Sequence, residues 1–311
     1  MNIYNININS INIINKPLVC CIGYFDGLHL GHQELIKETI TLANKLNVEP
    51  SLITFNPDPW VITKKLPIDS IKHINDYNVK LELLNKFNIN NLIILEFNED
   101  MSKLSSNEFI KILFNNIDIK GLVYGFDFHY GYKGLGNHNT IQKQINNNVI
   151  LKQVESINDD IGKISSSRID ELLINGSITK VNKLLGYNYY IKGNVIKGNA
   201  KGRTIGFPTA NIKYSNELLL PKQGVYIGYV KYLSNYYKAI INIGNNPTFN
   251  YVNKISIEAH ILNFNKDIYD QDIDIIFIDY IRDELKFNNI EQLKEQLELD
   301  KKKAMELNIY E

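Results

Sequence analysis

The period of the apolar residues changes once along this chain, and that change bounds the fold. Up to about residue 185, continuous apolar runs alternate with amphipathic segments of helical length. "PLVCCIGYF", "PSLITF", "NLIILEF" and "IKGLVYGF" read as buried strands, and "GHQELIKETITLANKLN", "INDYNVKLELLNKFN" and "SSNEFIKILFNN" as the helices between them. Such alternation predicts a parallel sheet covered on both faces, with ligands bound beyond the carboxyl ends of its strands. After "SITKVNKLLGYN" the runs become short and alternating: "YYIKGNVIKG", "GVYIGYVKY", "YYKAIINIG", "ISIEAHIL" and "DIDIIFIDY". Period two, broken by Gly, Asn or Lys, predicts a small antiparallel barrel or sandwich. "NIEQLKEQLELDKKKAME" ends the pattern as a helix whose Leu293 and Leu297 can cover the barrel. The expectation is an α/β domain over 1–185 and a β-barrel domain over 186–311, and 311 residues suffice for two cores.

Composition narrows the partners. Formal net charge is +0, which gives no electrostatic case for nucleic acid or a membrane surface. No stretch is long and apolar enough to span a bilayer. "MNIYNININSINIINK" lacks the basic start and continuous apolar run of a signal peptide. Cys20 and Cys21, the two cysteines, are adjacent, with alpha carbons about 3.8 Å apart, too close for ordinary disulfide geometry. A reducing, cytoplasmic location is expected. Asn, Ile, Lys and Tyr recur throughout as A/T-rich coding would produce, so Gly, Pro, Arg, His and Asp are the informative interruptions.

The first interruption is "GYFDGLHLGHQELI". Histidines three apart share a helix face, so His29 and His32 could hold a metal, although no further ligand cluster stands out. A core histidine explains one of them. Phosphate handling explains both: Gly23, Gly27 and Gly31 permit a tight strand-to-helix turn, and the helix start presents free N–H groups and a positive dipole end. The second interruption is "GNAKGRTIGFPTAN". Gly198, Gly202 and Gly206 let a ligand approach the backbone, Lys201 and Arg203 offset phosphate charge, and Thr209 and Asn211 offer oxygen to a hard cation such as Mg²⁺. The plain reading of that run is a glycine-rich barrel turn.

These runs resemble the prokaryotic bifunctional riboflavin kinase/FAD synthetase family. "GYFDGLHLGH" looks like the HxGH signature in that family's longer form. "GRTIGFPTAN" is nearly identical to the GRxLGFPTAN signature of riboflavin kinases. "GVYIGYV", "INIGNNPTF", "SIEAHIL" and "YIRDELKF" follow in the family's order, so the likeness runs from about residue 17 to the end. It implies a Rossmann-like nucleotidyltransferase sheet followed by a riboflavin kinase barrel. The implied activities are ATP-dependent phosphorylation of riboflavin to FMN and adenylylation of FMN to FAD. His29 and His32 would contact the ATP phosphates, with Gly23, Phe25 and Asp26 shaping the nucleotide pocket. "ISSSRID" resembles the ISSTxxR loop, so Ser165, Ser166, Ser167 and Arg168 would hold the triphosphate, with Asp170 at the place of the family's final arginine. "TFNPDP" and "GFDFHYG" resemble flavin-side segments, which makes Phe55, Pro57, Asp127 and Phe128 candidate contacts. Glu258 would be the catalytic base that accepts a proton from the ribityl 5′-hydroxyl. Arg282 is a candidate flavin contact or, plainly, a surface salt bridge with Asp279 or Glu284. Two narrower readings stand beside this one: a riboflavin kinase whose N-terminal module no longer transfers AMP, and a flavin binder without catalysis.

Overall fold

The computed structural model describes residues 1–8, 13–198, 202, 205–245 and 255–308. Lys201, Arg203 and the "NPTF" turn lie outside the described residues. The chain divides into two compact units, Met1–His73 with Lys80–Ser165, and Ile74–Val79 with Ser166–Glu311.

In chain order the first unit runs β1 (Asn2–Ile6), β2 (Ile14–Ile22), α1 (Leu30–Leu46), β3 (Glu49–Asn56) and α2 (Pro59–Thr63). It continues through α3 (Tyr77–Lys86, which enters this unit at Lys80), β4 (Asn91–Glu96), α4 (Glu99–Lys103), α5 (Ser106–Asn116), β5 (Ile117–Gly125), α6 (His138–Gln144) and β6 (Ile150–Val154). A small ribbon, β7 (Asn158–Asp159) and β8 (Gly162–Lys163), completes it. Six strands form one all-parallel sheet in the order β1-β4-β3-β2-β5-β6. Both faces are covered, and Leu18, Leu52, Ile53, Leu92, Ile93 and Leu122 are fully buried. Asn91 is also fully buried in β4, where its amide nitrogen donates to Ser51 Oγ at 3.1 Å and Glu49 Oε2 at 3.0 Å. α5 starts on a capping box, Ser105 with Glu108. The strands β1 and β6 were not expected. β1 lies in the Asn/Ile run and is an edge strand, and so is β6.

The second unit contains α7 (Ser166–Ile174), α8 (Ile178–Leu185), β9 (Tyr190–Ile196), β10 (Ala210–Tyr214), β11 (Gly224–Tyr232) and β12 (Asn235–Asn245). Then come β13 (Ile255–Ile261), β14 (Asp272–Arg282) and the terminal helix α9 (Ile290–Met305). The strands close into an antiparallel barrel, β10-β13-β12-β11-β14-β9, which decides between barrel and sandwich. β10 grows directly out of the "GFPTAN" run and was not anticipated as a strand. This unit begins at Ser166, ahead of residue 186, because α8 buries Ile178, Val181, Leu184 and Leu185. Asn182 of α8 donates to the Phe277 carbonyl at 2.9 Å and accepts from Tyr189 N–H at 2.7 Å. Gly186, with φ 72°, ends α8 in the left-handed conformation that glycine permits.

Candidate functional site

The sheet's central strand β2 delivers its chain into a strained turn. Phe25, Gly27 and Leu28 all have positive φ (58°, 74° and 42°). Holding two L-residues there costs free energy, and such strain concentrates where function fixes the backbone. Phe25 and Leu28 are fully buried, which holds the conformation in place. The turn ends in His29, the N-cap of α1, whose Nδ1 accepts from the His32 backbone N–H at 3.4 Å. Nδ1 therefore carries no proton, and in the neutral ring the proton sits on Nε2, leaving a donor for a ligand. The His29 and His32 rings stack at 3.7 Å between centroids and 16° between planes, with Phe25 5.1 Å from His32. Burial pushes His29 down to about 4; burial, then His29, Lys80 and Lys163, push His32 well below its ordinary value. Both imidazoles are neutral at pH 7. His32 Nδ1 is sealed from solvent with no hydrogen-bond partner among the described residues.

Each neighbouring residue has a local reason for its place. A Cβ at Gly31 would come within 3.2 Å of the His29 ring, and one at Gly23 within 3.2 Å of the Phe25 ring. Asp26 is buried, 3.9 Å from His73 Nδ1. Thr54, at the end of β3, donates to the Tyr24 carbonyl at 2.9 Å and ties β3 to the turn. Phe55 packs edge-on against Phe97 at 5.9 Å, and Pro57 follows a cis peptide bond. Asp58 caps α2 by accepting from Trp60 N–H at 2.7 Å. Asp127 is ion-paired with Lys163, and both make themselves felt at His29. Phe128 stacks on Tyr130 at 5.3 Å. The structure thus gathers Gly23, Phe25, Asp26, His29 and His32, with Asp127 in electrostatic reach. Ser165 ends the first unit, whereas Ser166, Ser167 and Arg168 open α7 and group with the second. Lys80, Lys163 and His73 stand at this site unanticipated, since a lysine on an amphipathic helix in a Lys-rich chain gives no signal.

In the barrel, Glu258 of β13 lies in register with Asn211 of β10 on one side and Asn242 of β12 on the other. Directly opposed residues share a face, so three polar side chains form one row. The Thr209 hydroxyl donates to Glu258 Oε2 at 3.2 Å. Gly198 lies against Asn211, whose amide nitrogen would be 2.1 Å from a Cβ there. Gly202 accepts from Phe207 N–H at 2.9 Å and from Ile205 N–H at 3.2 Å. Beside Thr209 is a cavity of about 90 Å³ that also meets Pro208, Phe264 and Tyr269. A second, of about 590 Å³, lies between the Ile205–Phe207 turn and Leu299, Glu298 and Lys302 of α9. Arg282 is fixed by buried Asp300, with Nε 3.1 Å from each carboxylate oxygen and one Nη 2.6 Å from Oδ2. Its ion-pair partner is therefore on α9, and neither Asp279 nor Glu284. The donors of Thr209, Asn211 and Glu258 are all oxygen-bearing and hard, and they fit Mg²⁺ arriving with nucleotide phosphates.

Comparison with known proteins gives consistent results over both units. A family model described as FAD synthetase matches residues 11–168, and one described as riboflavin kinase matches residues 185–308. The bifunctional riboflavin kinase/FMN adenylyltransferase of Bacillus subtilis is 37% identical over 291 residues, 92% of this chain and 91% of that one. The protein of the same name from Listeria monocytogenes is 35% identical over 287 residues, 92% and 90% of the two chains. A crystal structure described as a macrolide-efflux protein from Streptococcus pneumoniae superposes with TM-score 0.90 at 30% identity, over 99% of this chain and 100% of that one. Among the described residues no helix is long and apolar enough to cross a membrane.

Proposed function

This chain belongs to the bifunctional riboflavin kinase/FMN adenylyltransferase family, and on that premise we propose which residues carry each of its two steps. Riboflavin and ATP give FMN in one module, and FMN and ATP give FAD and pyrophosphate in the other. The kinase-only reading is not favoured, because relatives named for both activities align over nine-tenths of the chain.

In our assignment residues 186–311 are the kinase and residues 1–185 the adenylyltransferase. Glu258 accepts the 5′-hydroxyl proton of riboflavin as that oxygen attacks the ATP γ-phosphorus. The observation that carries this assignment is the row Asn211–Glu258–Asn242 with the Thr209 hydroxyl on Glu258. It sets a carboxylate beside three neutral oxygen-bearing side chains. Thr209 and Asn211 would hold Mg²⁺, which neutralises phosphate charge when bound. Gly198 and Gly202 let the nucleotide loop close on itself, where a Cβ would strike the Asn211 amide and the Phe207 carbonyl. We place the flavin ring in the 590 Å³ cavity, which Ile205, Phe207 and Leu299 line beside the charged Lys294, Glu295, Glu298 and Lys302. Arg282, held by Asp300 of α9, is our candidate contact to the flavin or its phosphate.

In the other module an FMN phosphate oxygen attacks the α-phosphorus, and pyrophosphate leaves. His29 and His32, neutral and stacked, donate from Nε2 to phosphate oxygens. The Phe25–Leu28 turn fixes them, and Ser165, Ser166, Ser167 and Arg168 supply further donors to the triphosphate. Phe55, Pro57, Asp127 and Phe128 line the flavin side. The buried free thiols of Cys20 and Cys21 suit a reducing cytoplasm.

Incubation of the pure protein with ATP, Mg²⁺ and riboflavin, or with FMN, followed by chromatography, is expected to give both FMN and FAD. Glu258→Gln is expected to stop FMN formation and spare FMN-to-FAD conversion, and His32→Ala to do the reverse. A near-normal kinase rate in Glu258→Gln would refute the base.

A further inference from the structure

α3 carries a lysine into the turn that holds the histidines. Lys80 Nζ reaches the Tyr24 carbonyl at 3.5 Å and lies 5.2 Å over the Tyr24 ring. That carbonyl already accepts from the Thr54 hydroxyl at 2.9 Å, so the ammonium, with its three donors, makes one long bond to a shared acceptor. Asp26 and Asp58, both buried, are the carboxylates that act on it electrostatically. Asp58 is committed to the α2 cap, and Asp26 faces His73. Lys80 is half-buried, and holding an ammonium there with so little direct bonding is costly unless a ligand completes its shell.

The chemistry of the site asks for such a charge. A triphosphate brings several negative charges against Asp26, Asp58 and Asp127, all of one sign with it. The histidines bring N–H donors but, being neutral, no charge. Of the two ammoniums whose field reaches His32, Lys163 is already paired with Asp127. The other is Lys80.

On the adenylyl-transfer reading given above, we infer that Lys80 is a phosphate-binding residue of that site, engaging the phosphate chain of ATP and holding the departing pyrophosphate beside His29 and His32. In the step itself the bond from the FMN phosphate oxygen to the α-phosphorus forms. The bond from the α-phosphorus to the bridging oxygen breaks, and its electron pair leaves with pyrophosphate. Lys80 keeps its proton throughout and acts by charge and hydrogen bonding.

The test uses the full chain in both directions of the reaction. In Lys80→Met, KM for ATP in FAD formation and KM for pyrophosphate in FAD pyrophosphorolysis are expected to rise about tenfold or more, equivalent to about 1.4 kcal/mol. KM for FMN and the riboflavin kinase rate stay within about twofold of wild type. Lys80→Arg, which keeps the charge, recovers part of the pyrophosphate term. Lys80→Gln repeats the measurement if the methionine variant does not fold. Unchanged KM for pyrophosphate overturns the inference, and so does an equal loss for FMN and pyrophosphate, which would mean a structural role. If the wild-type protein forms no FAD, the adenylyl-transfer reading fails by itself. Calorimetric titration with pyrophosphate, wild type against Lys80→Met, then still decides Lys80, with equal affinities counting against it.

Discussion

His29 accepts a backbone N–H on one ring nitrogen, and this fixes what the other nitrogen can do. The same enclosure gives a pH signature. With a folded value of about 4 against an ordinary value of 6.5, the unfolded chain takes up the proton first as pH falls. Stability from His29 is complete above about pH 6.5, declines between 6.5 and 4, and loses on the order of 3 kcal/mol in all. Urea unfolding from pH 7.5 to 4.5 is expected to show a shallower pH slope in His29→Gln than in wild type; equal slopes would refute the buried neutral ring. In the barrel, Gly198→Ala would place a methyl 2.1 Å from the amide nitrogen of Asn211, itself only 8% exposed. Kinase kcat/KM should fall about tenfold, with FAD formation from FMN unaffected. Much of the site was legible at this scale, because His29, His32, Thr209, Asn211 and Glu258 interrupt a monotonous composition. Lys80 and Asp300 were not, since their roles depend on which face of a helix packs inward, and the sequence around each is ordinary charged helix.

Among the elements, α9 buries Asp300 and Ala304, while Leu293 and Leu297, expected to cover the barrel, stay half-buried. Asp300 is 1% exposed and takes Arg282 of β14 in a bidentate grip, with Gln296 adding a bond at 2.9 Å. Removing one partner of a buried pair leaves the other charged and unmatched. Asp300→Ala should therefore destabilise the barrel by about 3–5 kcal/mol, seen as a lower urea midpoint, and loosen the cavity that α9 walls. Helices and central strands were readable from period alone because each buries a regular face. Of the strands that escaped, β7 and β8 are two residues each, β1 and β6 are edge strands, and β10 grows out of a glycine-rich motif. In these last three, pairing is settled by register with a distant neighbour, such as Ile3 with Leu92 or Asn211 with Glu258, and no local pattern encodes it.

Across the whole molecule, the second unit is larger than its barrel. α8 buries four apolar residues and bonds the backbone of β14, and Leu173 of α7 accepts from Lys222 N–H at 2.9 Å. A chain starting at residue 186 should unfold at lower urea than one starting at 166; coincident unfolding curves would count against this account. The parallel sheet carries a different liability. Its core is written largely in isoleucine, with Ile53 and Ile93 fully buried and paired across β3 and β4. Its edge strand β1 reads Asn-Ile-Tyr-Asn-Ile, with Ile3 42% exposed. The codons of isoleucine and asparagine differ at a single base, so one base change can turn a sealed aliphatic position into an amide with no partner, at a cost of about 1–3 kcal/mol beyond the lost burial. One base therefore separates a residue that the sheet interior cannot lose from one that its edge already carries, and asparagine for isoleucine should be tolerated far better at Ile3 than at Ile93.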